Sequence, residues 1–97
     1  MNYIYKKNKM LEVKKFYGLW CGPCRVLTPI LNEIKNQFPN VKFQDIDIDE
    51  DFETATKYGI RSVPTVIIIK DGIEVSRITG LSSKSNYTGI LNEQLNN

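Results

Sequence analysis

A chain of 97 residues, 41% hydrophobic and 25% charged, has the make-up of one ordinary globular domain and excludes a disordered or fibrous protein. Its net charge of +2 is too small to argue for nucleic acid, and its longest uninterrupted apolar run, Val66 to Ile69, is far too short to span a bilayer. With no histidine and two cysteines, the chain cannot by itself assemble the three or four nitrogen and sulfur ligands of a zinc site.

The composition shows no internal repeat or low-complexity tract, so a single domain over residues 1–97 is expected. The N-terminal MNYIYKKNKM lacks the apolar stretch of a secretory signal, which leads to the expectation of a cytoplasmic protein. Charge is unevenly spread. Lys6, Lys7, Lys9, Lys14 and Lys15 make the first segment basic, whereas Asp45, Asp47, Asp49, Glu50, Asp51 and Glu53 form an acidic stretch. This polarity fits either a solvated surface or a docking face.

Leu11, Val13, Lys15 and Tyr17 share one parity and Glu12, Lys14 and Phe16 the other, which predicts a strand ending at Gly18. Leu27, Ile30, Leu31, Ile34 and Phe38 then follow the 3.6-residue period of an amphipathic helix. Pro23 is tolerated in its first turn, Pro29 should kink it by removing a donor, and Pro39 and Asn40 end it. Val41, Phe43, Ile46 and Ile48 mark a second strand of imperfect alternation. A short helix is predicted from Glu50 to Tyr58, closed by Gly59. The run VPTVIIIK, Val63 to Lys70, reads as a buried central strand, and Asp71-Gly72 signals a hairpin into Ile73 to Thr79. Ser82 or Ser83 caps a last helix with Tyr87, Ile90, Leu91 and Leu95 on one face.

Both cysteines fall in WCGPC, residues 20 to 24, at the predicted turn from strand into helix. Residues three apart on a first helical turn are neighbours, so this spacing brings the two sulfurs within disulfide reach. Cys21 lies at the helix N-terminus, where free N–H groups and the helix dipole favour a thiolate. Cys24 lies a turn deeper and is expected to be more shielded. The asymmetry assigns Cys21 as nucleophile on a substrate disulfide and Cys24 as the thiol that resolves the mixed disulfide. Pro23 stiffens the loop and Trp20 can cover one side of it. The alternative is a permanent disulfide or two inert core thiols; a reducing compartment disfavours the former.

WCGPC followed by Arg25, TPIL at Thr28 to Leu31, KYGIRSVPT at Lys57 to Thr65, KDG at Lys70 to Gly72 and the late Gly80 together resemble the thioredoxin family, in order and spacing, from about Leu11 to Leu95. The resemblance implies an α/β thioredoxin fold: a central mixed sheet of four strands, or five, flanked by helices. It implies a protein-disulfide reductase with no bound cofactor, fed with electrons by a thioredoxin reductase-type donor and acting as a monomer on disulfide-containing proteins. It makes Pro64 a cis-proline facing the cysteines, and it implies substrate contacts from Trp20, Gly22, Pro23, Ser62, Val63, Pro64 and Gly80.

Two departures from the family stand out. Only about ten residues precede Met10, so the usual first strand and helix are reduced to a short edge strand from Tyr3 or Ile4 at most. Where the family carries a buried aspartate six residues before the first cysteine, this chain has Lys15, and Asp45 falls where the family commonly has the paired lysine. We infer a swapped ion pair, which places Lys15 and Asp45 among the catalytic positions. The alternative is that Lys15 snorkels to solvent past a thinly covered edge. A cation beside the cysteines would favour the reduced state, and neutralisation by Asp45 would make that shift small. Leu19 adds apolar surface beside Trp20. Two competing functions remain open: a glutaredoxin-like reductase fed by glutathione, against which the GPC loop and IRSVPT argue, and a redox-independent binding subunit docking through the acidic stretch and basic N-terminus.

Overall fold

The computed structural model describes residues 10–96. In chain order these form β1 (Leu11–Tyr17), α1 (Gly22–Gln37), β2 (Lys42–Asp47), α2 (Phe52–Lys57), β3 (Thr65–Lys70), β4 (Ile73–Thr79) and α3 (Lys84–Asn96). The strands make one mixed sheet in the order β2-β1-β3-β4. β1 runs parallel to β2 and antiparallel to β3, and β3 pairs antiparallel with β4. An edge strand from Tyr3 or Ile4 lies outside the described residues.

The parity of β1 sorts its side chains onto two cores. Leu11 and Val13 join Leu27, Leu31 and Ile34 of α1 and Tyr87 and Leu91 of α3, whereas Phe16 joins Ile46, Ile67, Ile69 and Ala55 of α2. β3 is buried on both sides from Thr65 to Ile69, which is why it reads as a continuous apolar run rather than an alternation. Each fully buried Leu, Ile or Phe contributes about 1.5–3 kcal/mol over leaving it in water.

Local chemistry sets the element ends. α1 continues through Pro29, and the Phe38 N–H closes it by donating to the Ile34 and Lys35 carbonyls at 3.1 and 3.3 Å. α2 starts at Asp51, whose carboxylate accepts the Thr54 N–H at 3.1 Å and the Thr54 hydroxyl at 2.8 Å. These bonds to the ionised form hold the Asp51 carboxyl below its usual value. At the head of α3 it is Ser83 that takes the Asn86 N–H, at 3.1 Å, while Ser82 accepts from the Asn86 side-chain amide. Asp71 and Gly72 both adopt positive φ, 52° and 85°, the pattern of a two-residue hairpin turn that matches strand twist. Leu95 departs from the expected apolar face of α3: it is exposed, because the last turn runs past the core.

The register gathers the predicted site at one end of the sheet. Phe16 pairs with Thr65, Thr65 with Thr79, and Tyr17 with Asp47. The loop after β1, the loop after β2, Pro64 just before β3 and Gly80 just after β4 therefore share that end.

Candidate active site

The chain leaves β1 in a tight turn in which the Cys21 N–H donates to the Gly18 carbonyl at 3.1 Å. Cys21 is the N-cap of α1, in extended conformation, and its Sγ accepts the Cys24 N–H at 3.2 Å. Pro23 lies in the first turn, where its missing donor costs nothing. Cys21 and Cys24 are joined by a disulfide, with their Cα atoms 5.3 Å apart. The expected difference in shielding is not seen, because in the bonded pair Cys21 is 4% and Cys24 3% exposed. What distinguishes the two is position: only Cys21 caps the helix and receives an amide proton on sulfur. Such a bond favours the thiolate once the disulfide opens.

Around this buried pair, Leu19, Trp20, Gly22 and Pro23 are exposed. The Trp20 indole N–H donates to Asp49 Oδ2 at 2.8 Å, tying the loop after β1 to the loop after β2. Arg25 donates to the Leu19 carbonyl at 3.0 Å and pins the turn from behind. A Cβ at Gly18 would lie 2.7 Å from the Trp20 ring, so a side chain there would displace the indole from this position. Sequence reasoning read Gly18 only as a strand end and did not single out Asp49. A long-range bond such as Trp20–Asp49 leaves no local signal.

The Val63–Pro64 peptide bond is cis, as the resemblance implied. The Pro64 carbonyl accepts the Gly80 N–H at 2.8 Å, and the Ser62 carbonyl accepts the Thr65 hydroxyl at 2.8 Å. Ser62 is exposed, Val63 half-buried and Pro64 buried.

Lys15 and Asp45 stand opposite each other in the β1–β2 register, with Nζ 3.8 Å from Asp45 Oδ2. Lys15 does not snorkel: the residue is 5% exposed. The pair is nevertheless lopsided, because the Asp45 side chain is 62% exposed on the edge strand. Lys15 Nζ also donates to Thr28 Oγ1 of α1 at 3.0 Å, and the Thr28 hydroxyl donates to the Cys24 carbonyl at 3.0 Å. The ammonium further lies 5.4 Å from the centre of the Tyr17 ring. Burial, and then the Asp47, Asp45 and Glu50 carboxylates, push the Tyr17 phenol above its usual value. A cleft of about 120 Å³ lined by Lys15, Leu31, Asn32, Lys35, Phe43 and Asp45 opens beside the ion pair. Among the described residues no group of three or more His, Cys, Asp or Glu side chains is placed to hold a metal ion.

A family model described as Thioredoxin matches residues 2–93. The chain belongs to the thioredoxin family. It is 45% identical over 83 residues to a thioredoxin of Chlamydia pneumoniae, covering 86% of this chain and 81% of that one. It is 38% identical over 81 residues to a thioredoxin of Bacillus subtilis, covering 82% and 78%. Among solved structures, Fasciola hepatica thioredoxin superposes with a TM-score of 0.82 at 34% identity, covering 94% of this chain and 88% of that one. The four-stranded mixed sheet with its helices is thus a thioredoxin fold, and the Cys21–Cys24 couple belongs to a thiol-disulfide oxidoreductase that reduces protein disulfides. No helix among the described residues is long and apolar enough to cross a membrane.

Proposed function

We propose that this thioredoxin works as a single-domain cytoplasmic monomer in which Cys21 is the attacking thiol and Cys24 the resolving one. The Cys21 thiolate attacks one sulfur of a substrate disulfide, forming a mixed disulfide and releasing the other substrate sulfur as a thiolate. Cys24 then attacks Cys21, the substrate leaves as a dithiol, and the Cys21–Cys24 disulfide carries away the substrate's oxidising equivalents. An external thioredoxin reductase-type donor returns two electrons, so the cycle calls for no bound cofactor. The observation that carries the role assignment is the Cys24 N–H held on Cys21 Sγ at the helix N-cap.

Exposed Trp20, Gly22 and Pro23, with Ser62, Val63, the cis-Pro64 and Gly80 at the same end of the sheet, form the surface proposed to hold an extended substrate segment. Trapping tests the assignment. Cys24→Ser, mixed with a disulfide-containing protein such as oxidised insulin, should accumulate a covalent adduct that dithiothreitol releases, and Cys21→Ser should accumulate none. The reverse pattern would make Cys24 the nucleophile.

A further inference from the structure

Lys15 is the only buried lysine or arginine among the described residues. An ammonium can only donate, so in its bond to Thr28 the hydroxyl oxygen must supply a lone pair. The Thr28 proton is then directed to the Cys24 carbonyl. Two hydrogen bonds in one fixed direction therefore lead from a buried charge to the backbone of a redox cysteine. Ordered chains of this kind polarise one another in a low-dielectric interior.

The counter-charge does not cancel this field. Asp45 lies beyond hydrogen-bond distance, at 3.8 Å, and its side chain is 62% exposed against 6% for that of Lys15. Water screens the Asp45 carboxylate strongly and the ammonium weakly, so Asp45 offsets only part of the ammonium's field. Lysine's stem is flexible, and the cleft beside it offers the head a way toward Asp45 and solvent. Thr28 is the group that holds it on the α1 side.

We propose that Thr28 is a positioning residue that holds the Lys15 ammonium against the Cys24 turn, and that this cation shifts the Cys21/Cys24 equilibrium toward the dithiol. The proposal rests on the redox reading above. Reduction by dithiothreitol breaks the Cys21–Cys24 bond, moves two electrons and two protons to the protein, and closes an S–S bond in the reagent. A fixed cation stabilises whatever fraction of the product is thiolate and leaves the neutral disulfide unaffected.

The test equilibrates the full chain and its variants with reduced and oxidised dithiothreitol and quantifies the oxidised fraction. Lys15→Met and Thr28→Val should each move the equilibrium toward the disulfide by about three- to tenfold, or about 15–30 mV. Thr28→Ser, which keeps the hydroxyl, should restore what Thr28→Val loses. Asp45→Asn removes the counter-charge and should move the equilibrium the opposite way. Changes in one direction for Lys15→Met and Asp45→Asn, or none beyond twofold in either, would overturn the electrostatic role. Thr28→Val matching the parent while Lys15→Met moves would overturn the role of Thr28. If Lys15→Met does not fold, as circular dichroism would show, the exposed Asp45→Asn decides: no shift toward the dithiol sinks the proposal. A parent chain that takes no electrons from dithiothreitol would instead overturn the redox reading itself.

Discussion

On one face of the sheet, β1 and β3 present Leu11, Val13, Lys15, Val66 and Ile68 to the long helices α1 and α3; on the other, the same two strands present Phe16, Ile67 and Ile69 to the six-residue α2. The first face has the larger core, yet it admits polar groups: Lys15, the Thr28 hydroxyl and the phenol of Tyr87. The second is smaller, with Phe16 packed against the Tyr58 ring at 5.7 Å, and its buried polar side chain, Thr65, donates its hydroxyl to the nearby Ser62 carbonyl. The difference teaches where polar chemistry fits. A long helix brings its own hydroxyls and carbonyls within reach of a buried charge, whereas a short helix can only seal.

Deleting a packed side chain from each face should give the largest effects. Phe16 and Leu27 are both 0% exposed. Phe16→Ala should cost about 3–5 kcal/mol and Leu27→Ala about 2–5 kcal/mol in urea unfolding. Phe16 belongs to the smaller core, so its loss should also free Tyr58 and α2, visible as faster amide exchange in α2 than in α1. Equal exchange in the two helices would break the comparison.

A change of opposite sign is expected at Tyr87. Its Oη is buried without a hydrogen-bond partner among the described residues, and burial pushes its phenol above the usual value. Tyr87→Phe should therefore stabilise the protein, by about 1 kcal/mol. The pH dependence has a definite sign. With the folded-state value raised above the unfolded one near 10, the folded chain holds the proton more tightly, and stability falls as pH rises past about 10. Tyr87→Phe should remove part of that alkaline fall and Tyr17, also raised, should retain the rest. An unchanged alkaline limb would mean that Tyr87 is not the group responsible.

The smallest effect should come from the clamp over the apolar face. Arg77, opposite Ile67 in the register, meets Glu74 through two bonds of 2.8 and 2.9 Å and donates to the Tyr58 carbonyl at 2.7 Å. The pair is partly exposed, so Arg77→Ala should cost about 1 kcal/mol or less in thermal unfolding, and less still at high salt.

Much of this was legible from the residues. The seven elements follow from periodicity, from Asp71-Gly72 and from the proline and glycine stops, because each is a local signal. β2 was less legible because it is an edge strand: Lys42, Gln44 and Asp45 stay exposed and blur its alternation. The Lys15–Asp45 pairing could be inferred from family spacing, but the exposure of Asp45 could not, since it depends on what covers the sheet edge. Thr28 was read only as the first residue of the TPIL motif, with no role assigned to its hydroxyl. A threonine inside a helix is ordinary until a lysine from another element is seen to reach it. The equal burial of the two cysteines was missed for a similar reason: helix position predicts which sulfur is favoured as thiolate, not how far the neighbouring loop covers both.

Trp20 is the chain's one tryptophan, and it adjoins the disulfide in sequence while its N–H is held by Asp49. Gly18 leaves room for the ring to take that position. Indole emission from this protein thus has a single source, located where thiol exchange takes place. Opening of the disulfide, seating of a partner or loss of the Asp49 contact can each be followed in real time without attaching a dye, and the optical signal carries no contribution from a second indole elsewhere in the fold.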